Sequence, residues 1–323
     1  MLFRSRAKEG LFFTSADDYG GARKRKISQF LRELNFESKP SIPTMELEII
    51  DSDLVSPDET LPRVNPPKLF SFTQLAAFNA CPLQYKFAHV LKVPVVGKWT
   101  FSFGKTMHNT LDKFFSAWLV RTGSVQTNLF EKCTQRKETE LPVSFEELMN
   151  YYTECWQDDW YEDDSAREKY RSNGRESLRA FYRELEALKP KPLFIEQDFT
   201  VKFGDVVVKG RIDRIDEFED GVEIIDYKTG TPKKELSKED KEQLLLYQLA
   251  AKQSLGLNPK LLTYYYLTDN SRVSFIGSSD ELLDIEDKII SSAKAIAESR
   301  FQPSPGFQCR FCDFASICEF RDK

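Results

Sequence analysis

The chain has 323 residues, 41% of them hydrophobic and 30% charged, with a formal net charge of −5. That length and composition suit a soluble globular protein with a sizeable core, in one large domain or two. No apolar run approaches the roughly 18–20 residues of a membrane span, and the acidic balance excludes a protein that coats nucleic acid by bulk attraction, though not a local basic groove.

Residues 1–38 read as a short unit with a strand-like piece, Leu11-Phe12-Phe13-Thr14, and a helix-like piece from Ser28 to Leu34. No charged-then-apolar signal segment opens the chain, so the expected location is the cytoplasm. Residues 39–68, with Pro40, Pro43, Pro57, Pro62, Pro66 and Pro67, have the composition of a linker. Ser71-Phe72-Thr73-Gln74 fits a capping box, and apolar residues follow at helical spacing through Phe87. A second helix is expected over about 104–120, with Met107, Leu111, Phe114, Phe115 and Leu119 on one side. Residues of about 145–188 read as helical and acidic, with a break near Asn173-Gly174. Strands are expected at 193–202, 206–217 and 222–228, the first two joined by a hairpin at Gly204-Asp205. A helix over about 238–255, strands at 261–268 and 272–277 and a helix over about 280–300 complete the order. The pattern predicts an α/β fold, a mixed central sheet flanked by helices with a helical insertion. No internal repeat is visible.

Hydrolysis of a phosphodiester needs a metal ion to activate water and to neutralise charge on the phosphate. Mg²⁺ or Mn²⁺ takes oxygen ligands, often paired carboxylates with a backbone carbonyl and water. Asp213, at the expected end of one strand, and Asp226, near the end of the next, can supply such a pair. Lys228 lies two residues beyond Asp226 and therefore on the same sheet face, where a cation can orient water or stabilise developing charge. His108 is one of two histidines, and Gln243 and Tyr247 share one helix face at i, i+4. Singly, each has an ordinary reading: a solvated strand end, a turn into a strand, a helix-surface histidine. Their order and spacing change the odds.

Six cysteines in a reducing compartment read as thiols or metal ligands rather than disulfides. Cys133 and Cys155 have no close cysteine neighbours and read as unremarkable thiols. Cys81, followed by proline, and the run Cys309-x₂-Cys312-x₅-Cys318 can close one domain on itself. Zinc and a [4Fe–4S] cluster both accept four thiolates, and spacing does not choose between them.

The series His108, Gly210-Arg211-Ile212-Asp213, Asp226-Tyr227-Lys228-Thr229-Gly230 and Gln243-Leu244-Leu245-Leu246-Tyr247 resembles the PD-(D/E)XK nucleases of the RecB family. The resemblance implies a restriction-endonuclease-like core over 69–323. It also implies Mg²⁺ or Mn²⁺ held by His108, Asp213, Asp226 and the Tyr227 carbonyl, a catalytic Lys228, and supporting roles for Gln243 and Tyr247. Glu196 matches a less regular family acid. The proline-aspartate of the family name is absent, since Ile212 precedes Asp213.

The cysteine pattern resembles the iron–sulfur members of that group, AddB-type subunits and CRISPR-associated exonucleases. This implies a [4Fe–4S] cluster on Cys81, Cys309, Cys312 and Cys318, with zinc as the alternative. Ser5-Arg6-Ala7-Lys8-Glu9-Gly10 through Phe30-Leu31 resembles the last motif of UvrD/PcrA-like helicases, Arg6 matching an arginine that contacts ATP. No Gly-x-x-x-x-Gly-Lys-Ser/Thr loop is present, so neither helicase nor ATPase activity is expected from this chain alone.

These resemblances imply a metal-dependent DNA exonuclease acting on single strands beside a helicase motor, fused or separate, in repair or recombination. A non-cleaving DNA-binding scaffold and a stand-alone CRISPR-associated-type exonuclease are the alternatives.

Overall fold

The computed structural model describes residue 67, residues 69–123 and residues 141–321. The expected helicase-like unit at 1–38, most of the expected linker, Cys133 and the acidic residues from 131 to 140 lie outside the described residues.

Six strands form one mixed sheet: β1 (Phe70–Ser71), β2 (Pro192–Phe203), β3 (Val206–Phe218), β4 (Gly221–Lys228), β5 (Pro259–Tyr266) and β6 (Ser271–Phe275). Their order is β1-β3-β4-β5-β6, with β2 antiparallel to β3. β4 and β5 run parallel, which requires a crossover, and helix α6 (Lys238–Gln253) supplies it. The β2–β3 hairpin closes through Gly204-Asp205, where Gly204 takes the left-handed conformation at φ 57°.

The other helices are α1 (Phe72–Ala80), α2 (Pro82–Tyr85), α3 (Trp99–Thr122), α4 (Phe145–Cys155), α5 (Asp164–Leu188) and α7 (Ser279–Ala297). They cover the sheet on both faces. Leu75 and Phe78 of α1, Leu244 and Leu246 of α6 and Ile285 and Ile289 of α7 form one core with Ile224, Leu262 and Tyr264. Met107, Phe114 and Phe115 of α3, Leu148 of α4 and Phe181 of α5 form the other with Ile225, Tyr227 and Tyr265. Adjacent residues of β4 therefore enter opposite cores, and the strand reads as a nearly continuous apolar run. The expected α/β class, with α4 and α5 as the helical insertion, is the architecture observed.

Several local expectations need correction. The break in the insertion falls at 156–163, and Asn173-Gly174 lies inside α5. Gly174 is there for contact: a Cβ on it would meet Tyr152 Oη at 2.3 Å. The first helical run stops at Cys81, which is extended (φ −161°, ψ 113°), and restarts at Pro82. The capping box at Ser71 forms as expected, Ser71 Oγ accepting from Gln74 N and Gln74 Oε1 from Ser71 N. Helix α3 starts at Trp99 rather than near 104. Asp213 lies inside β3 rather than at its end, because pairing with β2 continues to Asp216 and pairing with β4 carries the strand on to Phe218.

One edge of β3 positions the site. Its ladder to β1 stops at Lys209 and its ladder to β4 begins at Arg214. Gly210 to Asp213 have no strand partner on that edge, and there β3 and β4 part.

Candidate active site

Asp213 and Asp226 occupy the first positions past the last β3–β4 pair, Arg214 with Ile225. The backbone N–H of Tyr227 donates to Asp213 Oδ2 at 2.8 Å, replacing the ladder bond lost where the strands part. Helix α3 lies over this opening, seated by Met107, Leu111, Phe114 and Phe115, and it brings His108 Nδ1 to 3.5 Å from Asp213 Oδ2. Gly210 has a packing reason: a Cβ there would strike the Phe199 ring at 2.5 Å, and that ring packs edge-on against Tyr247.

Ligand-type atoms of His108, Glu196 and Asp213 all lie within 4.8 Å of one another. Glu196 sits on β2 in the left-handed region, at φ 46°. Such a conformation is costly for a residue with a Cβ and collects at functional sites. Burial, then the Asp213 charge, pushes the Glu196 carboxyl up to about 7. Asp213 is likewise held well above the usual carboxylate range, by burial first and by Asp226 second, with the Tyr227 N–H and Lys228 acting the other way. Arg211 Nη1 lies 3.7 Å from Glu196 Oε2 and Lys228 pairs with Asp226, yet burial still holds both the Glu196 and Asp213 carboxyls high. Ligand-type groups so gathered fit a divalent ion.

Asp226 stands beside that group rather than in it. Lys228 Nζ lies 2.6 Å from its Oδ2, and Gln243 Nε2 donates to its Oδ1 at 2.9 Å. The lysine contact is an ion pair without hydrogen-bond geometry, so this buried Oδ2 accepts no hydrogen bond. An acceptor in that state also fits a cation. Gln243 binds all three neighbours, accepting from Lys228 Nζ at 2.8 Å and donating to Tyr247 Oη at 2.8 Å. The i, i+4 spacing on α6 thus serves a network.

Sequence reasoning missed Tyr264 and gave Glu196 too little weight. Lys228 Nζ lies 4.8 Å from the centroid of the Tyr264 ring, close enough for a cation–π contact. Tyr264 pairs with Asp226 across the β4–β5 ladder. Only the sheet register selects it from the run Tyr264-Tyr265-Tyr266. For Glu196 the alternation of β2 offered a signal, as the position opposite Asp213, but its backbone conformation is not legible in sequence.

The four clasp cysteines line one cavity, walled also by Leu83, Phe87 and Phe314. All four are free of disulfides. The N–H groups of Ser304 and Gly306 point to Cys81 Sγ (3.4 Å) and Cys309 Sγ (3.5 Å). Burial raises the Cys312 thiol pKa, aided by the nearness of Cys81 and Cys318.

The profile of the PD-(D/E)XK nuclease superfamily matches residues 69–319. No curated protein matches the chain. Among solved structures, the protein SSO0001 is similar at 15% identity and a TM-score of 0.39, over 80% of this chain and 90% of that one. A candidate exonuclease from Eubacterium rectale is similar at 12% identity and a TM-score of 0.45, over 79% of this chain and 90% of that one. With the profile spanning the sheet, both helical layers and the acids between them, the chain belongs to the PD-(D/E)XK nuclease superfamily.

Proposed function

We propose that the protein is a divalent-metal-dependent deoxyribonuclease, an exonuclease acting on single strands. The observation that carries the reading is the opening between β3 and β4, where Asp213, Asp226, Glu196, His108 and Lys228 converge. His108, Asp213, Asp226 and the Tyr227 carbonyl are the proposed ligands of Mg²⁺ or Mn²⁺, with Glu196 added to the set. The ion supplies charge neutralisation on the phosphate and a more acidic water.

Lys228 presents an ammonium to the phosphate as negative charge develops, held by Asp226, Gln243 and the Tyr264 ring. Gln243, anchored on Tyr247, keeps Asp226 and Lys228 in register with each other. Buried acids whose pKa values are raised partly by one another's charge also fit a neighbouring cation.

Cys81, Cys309, Cys312 and Cys318 are the proposed ligands of a [4Fe–4S] cluster that staples the two ends of the domain. The four cysteines line one cavity from both ends of the domain, which fits a group that takes four thiolates. The cluster supplies cross-links and stability. Residues 1–38 and a helicase motor, in one chain or as a partner, belong to the same reading, as does a cytoplasmic place of work. Among the described residues no helix is long and apolar enough to cross a membrane.

The test is Mn²⁺-dependent cleavage of single-stranded DNA by anaerobically purified protein, wild type beside Lys228→Ala. The variant is expected to lose at least about a hundredfold in rate while binding DNA as before. Equal cutting by both proteins would remove Lys228 from the mechanism, and cutting by neither would favour a scaffold.

A further inference from the structure

Helix α3 carries more than His108 along its exposed edge. At 100° per residue, Phe101, Lys105, His108 and Asp112 fall in a stripe about 60° wide. Ser102, Phe103, Thr106, Met107, Thr110 and Leu111 turn inward and seat the helix. Phe101 is 56% exposed, and Val95 and Val96, just before the helix, are exposed as well at 45% and 78%. Lys105 is exposed and forms no ion pair with any described residue. Between them Gly104 brings the helix close to the residue after Lys228: a Cβ on it would stand 3.3 Å from Thr229 Oγ1. From His108 the stripe runs toward the helix N-terminus as a cation followed by an aromatic ring, while Asp112 lies on the other side of His108, near enough to Glu196 for its charge to act there.

We propose that Phe101 and Lys105 form the strand-guiding ridge of this site, on which a single strand of DNA lies as it enters. The ring stacks on an unpaired base and the ammonium meets a backbone phosphate. Lys105 stands about 4.5 Å and Phe101 about 10.5 Å along the axis from His108, the latter about three nucleotide steps of 3.4 Å. Alternation of a cation with an aromatic face is the chemistry by which single strands are held without sequence preference. A duplex offers Phe101 no open base. An apolar edge alone would suit a protein, but an exposed ammonium with no ion-pair partner among the described residues, continuous with a phosphodiesterase-type site, suits a polyanion. The inference rests on the nuclease reading above for the direction of the strand, but binding tests it separately.

The experiment measures binding of the full chain to a labelled single-stranded oligonucleotide and to a blunt duplex without divalent ion, across a salt series, with Mn²⁺-dependent cleavage followed in parallel. Phe101→Ala is expected to weaken single-strand binding about tenfold and leave duplex binding unchanged. Lys105→Ala is expected to reduce the salt slope by about 0.7. If the wild type cuts DNA and both variants bind it as the wild type does, the ridge is wrong and the nuclease reading survives. Ridge-dependent binding with no cleavage by the wild type supports the ridge and sinks the nuclease reading. Failure of the wild type to bind, or equal losses on single strand and duplex in Phe101→Ala, overturns the ridge.

Discussion

At the scale of residues, the site is a set of acids kept against their solvation preference. Glu196, with an ordinary value of 4.5, is raised to about 7, chiefly by burial. A carboxyl raised on folding contributes stability that is full below its unfolded value and is lost as pH rises through its folded value. The ion-free protein is therefore expected to lose about 1–3 kcal/mol from this group between about pH 4.5 and 7. Thermal melts of the wild type and Glu196→Gln across that range test it, since the variant should show a flatter profile. Added Mn²⁺ should stabilise the wild type more at high pH than at low, because the ion binds the deprotonated acids. An identical pH profile in the variant would remove Glu196 from the account. His108, Asp213, Asp226 and Lys228 were legible from motif order. Glu196 was not, because what marks it is a backbone dihedral and a neighbour on another strand.

Between residue and fold stand the elements, where short-range signals served well except where tertiary contact overrode them. The Ser71 capping box and the Gly204-Asp205 turn are local hydrogen-bonding and φ requirements, and both form. Asn173-Gly174 has the look of a helix breaker, yet α5 runs through it because Tyr152 of α4 packs against the bare Cα. Gly174→Ala is the discriminating change. Helix propensity favours alanine by about 1 kcal/mol, while overpacking a closed core costs about 1–3 kcal/mol. Tyr152 is buried, with its hydroxyl bonded to Arg171 O, so it has little room to retreat. A net loss of stability in denaturant melts is expected, and a gain would mean that the tyrosine moves freely.

For the whole molecule, the cysteines join what the chain keeps apart. Cys81 lies between α1 and α2, and the other three follow α7, yet all four face one cavity. Cys312→Ser is expected to abolish the brown colour of anaerobically purified protein and to lower its melting temperature by at least about 2–4 °C, the shift per kcal/mol for a domain of this size. Colourless wild-type protein with stoichiometric zinc would replace the cluster with a zinc site.

By itself the sequence determined the kinds of elements, their order, the hairpin, the mixed α/β class and the residues on which a nuclease reading rests. Those depend on periodicity, caps and motif spacing, which act over a few residues or are preserved in chain order. Tertiary structure decided that β3 and β4 part at Asp213, that Glu196 joins His108 and Asp213, and that Asp226 leans to Lys228 and Gln243. It also placed Tyr264 beneath the lysine and left Phe101 and Lys105 on the open edge of α3. The reason is physical: strand register and helix seating set which side chains meet, and both follow from burial summed over two cores rather than from any local run of residues.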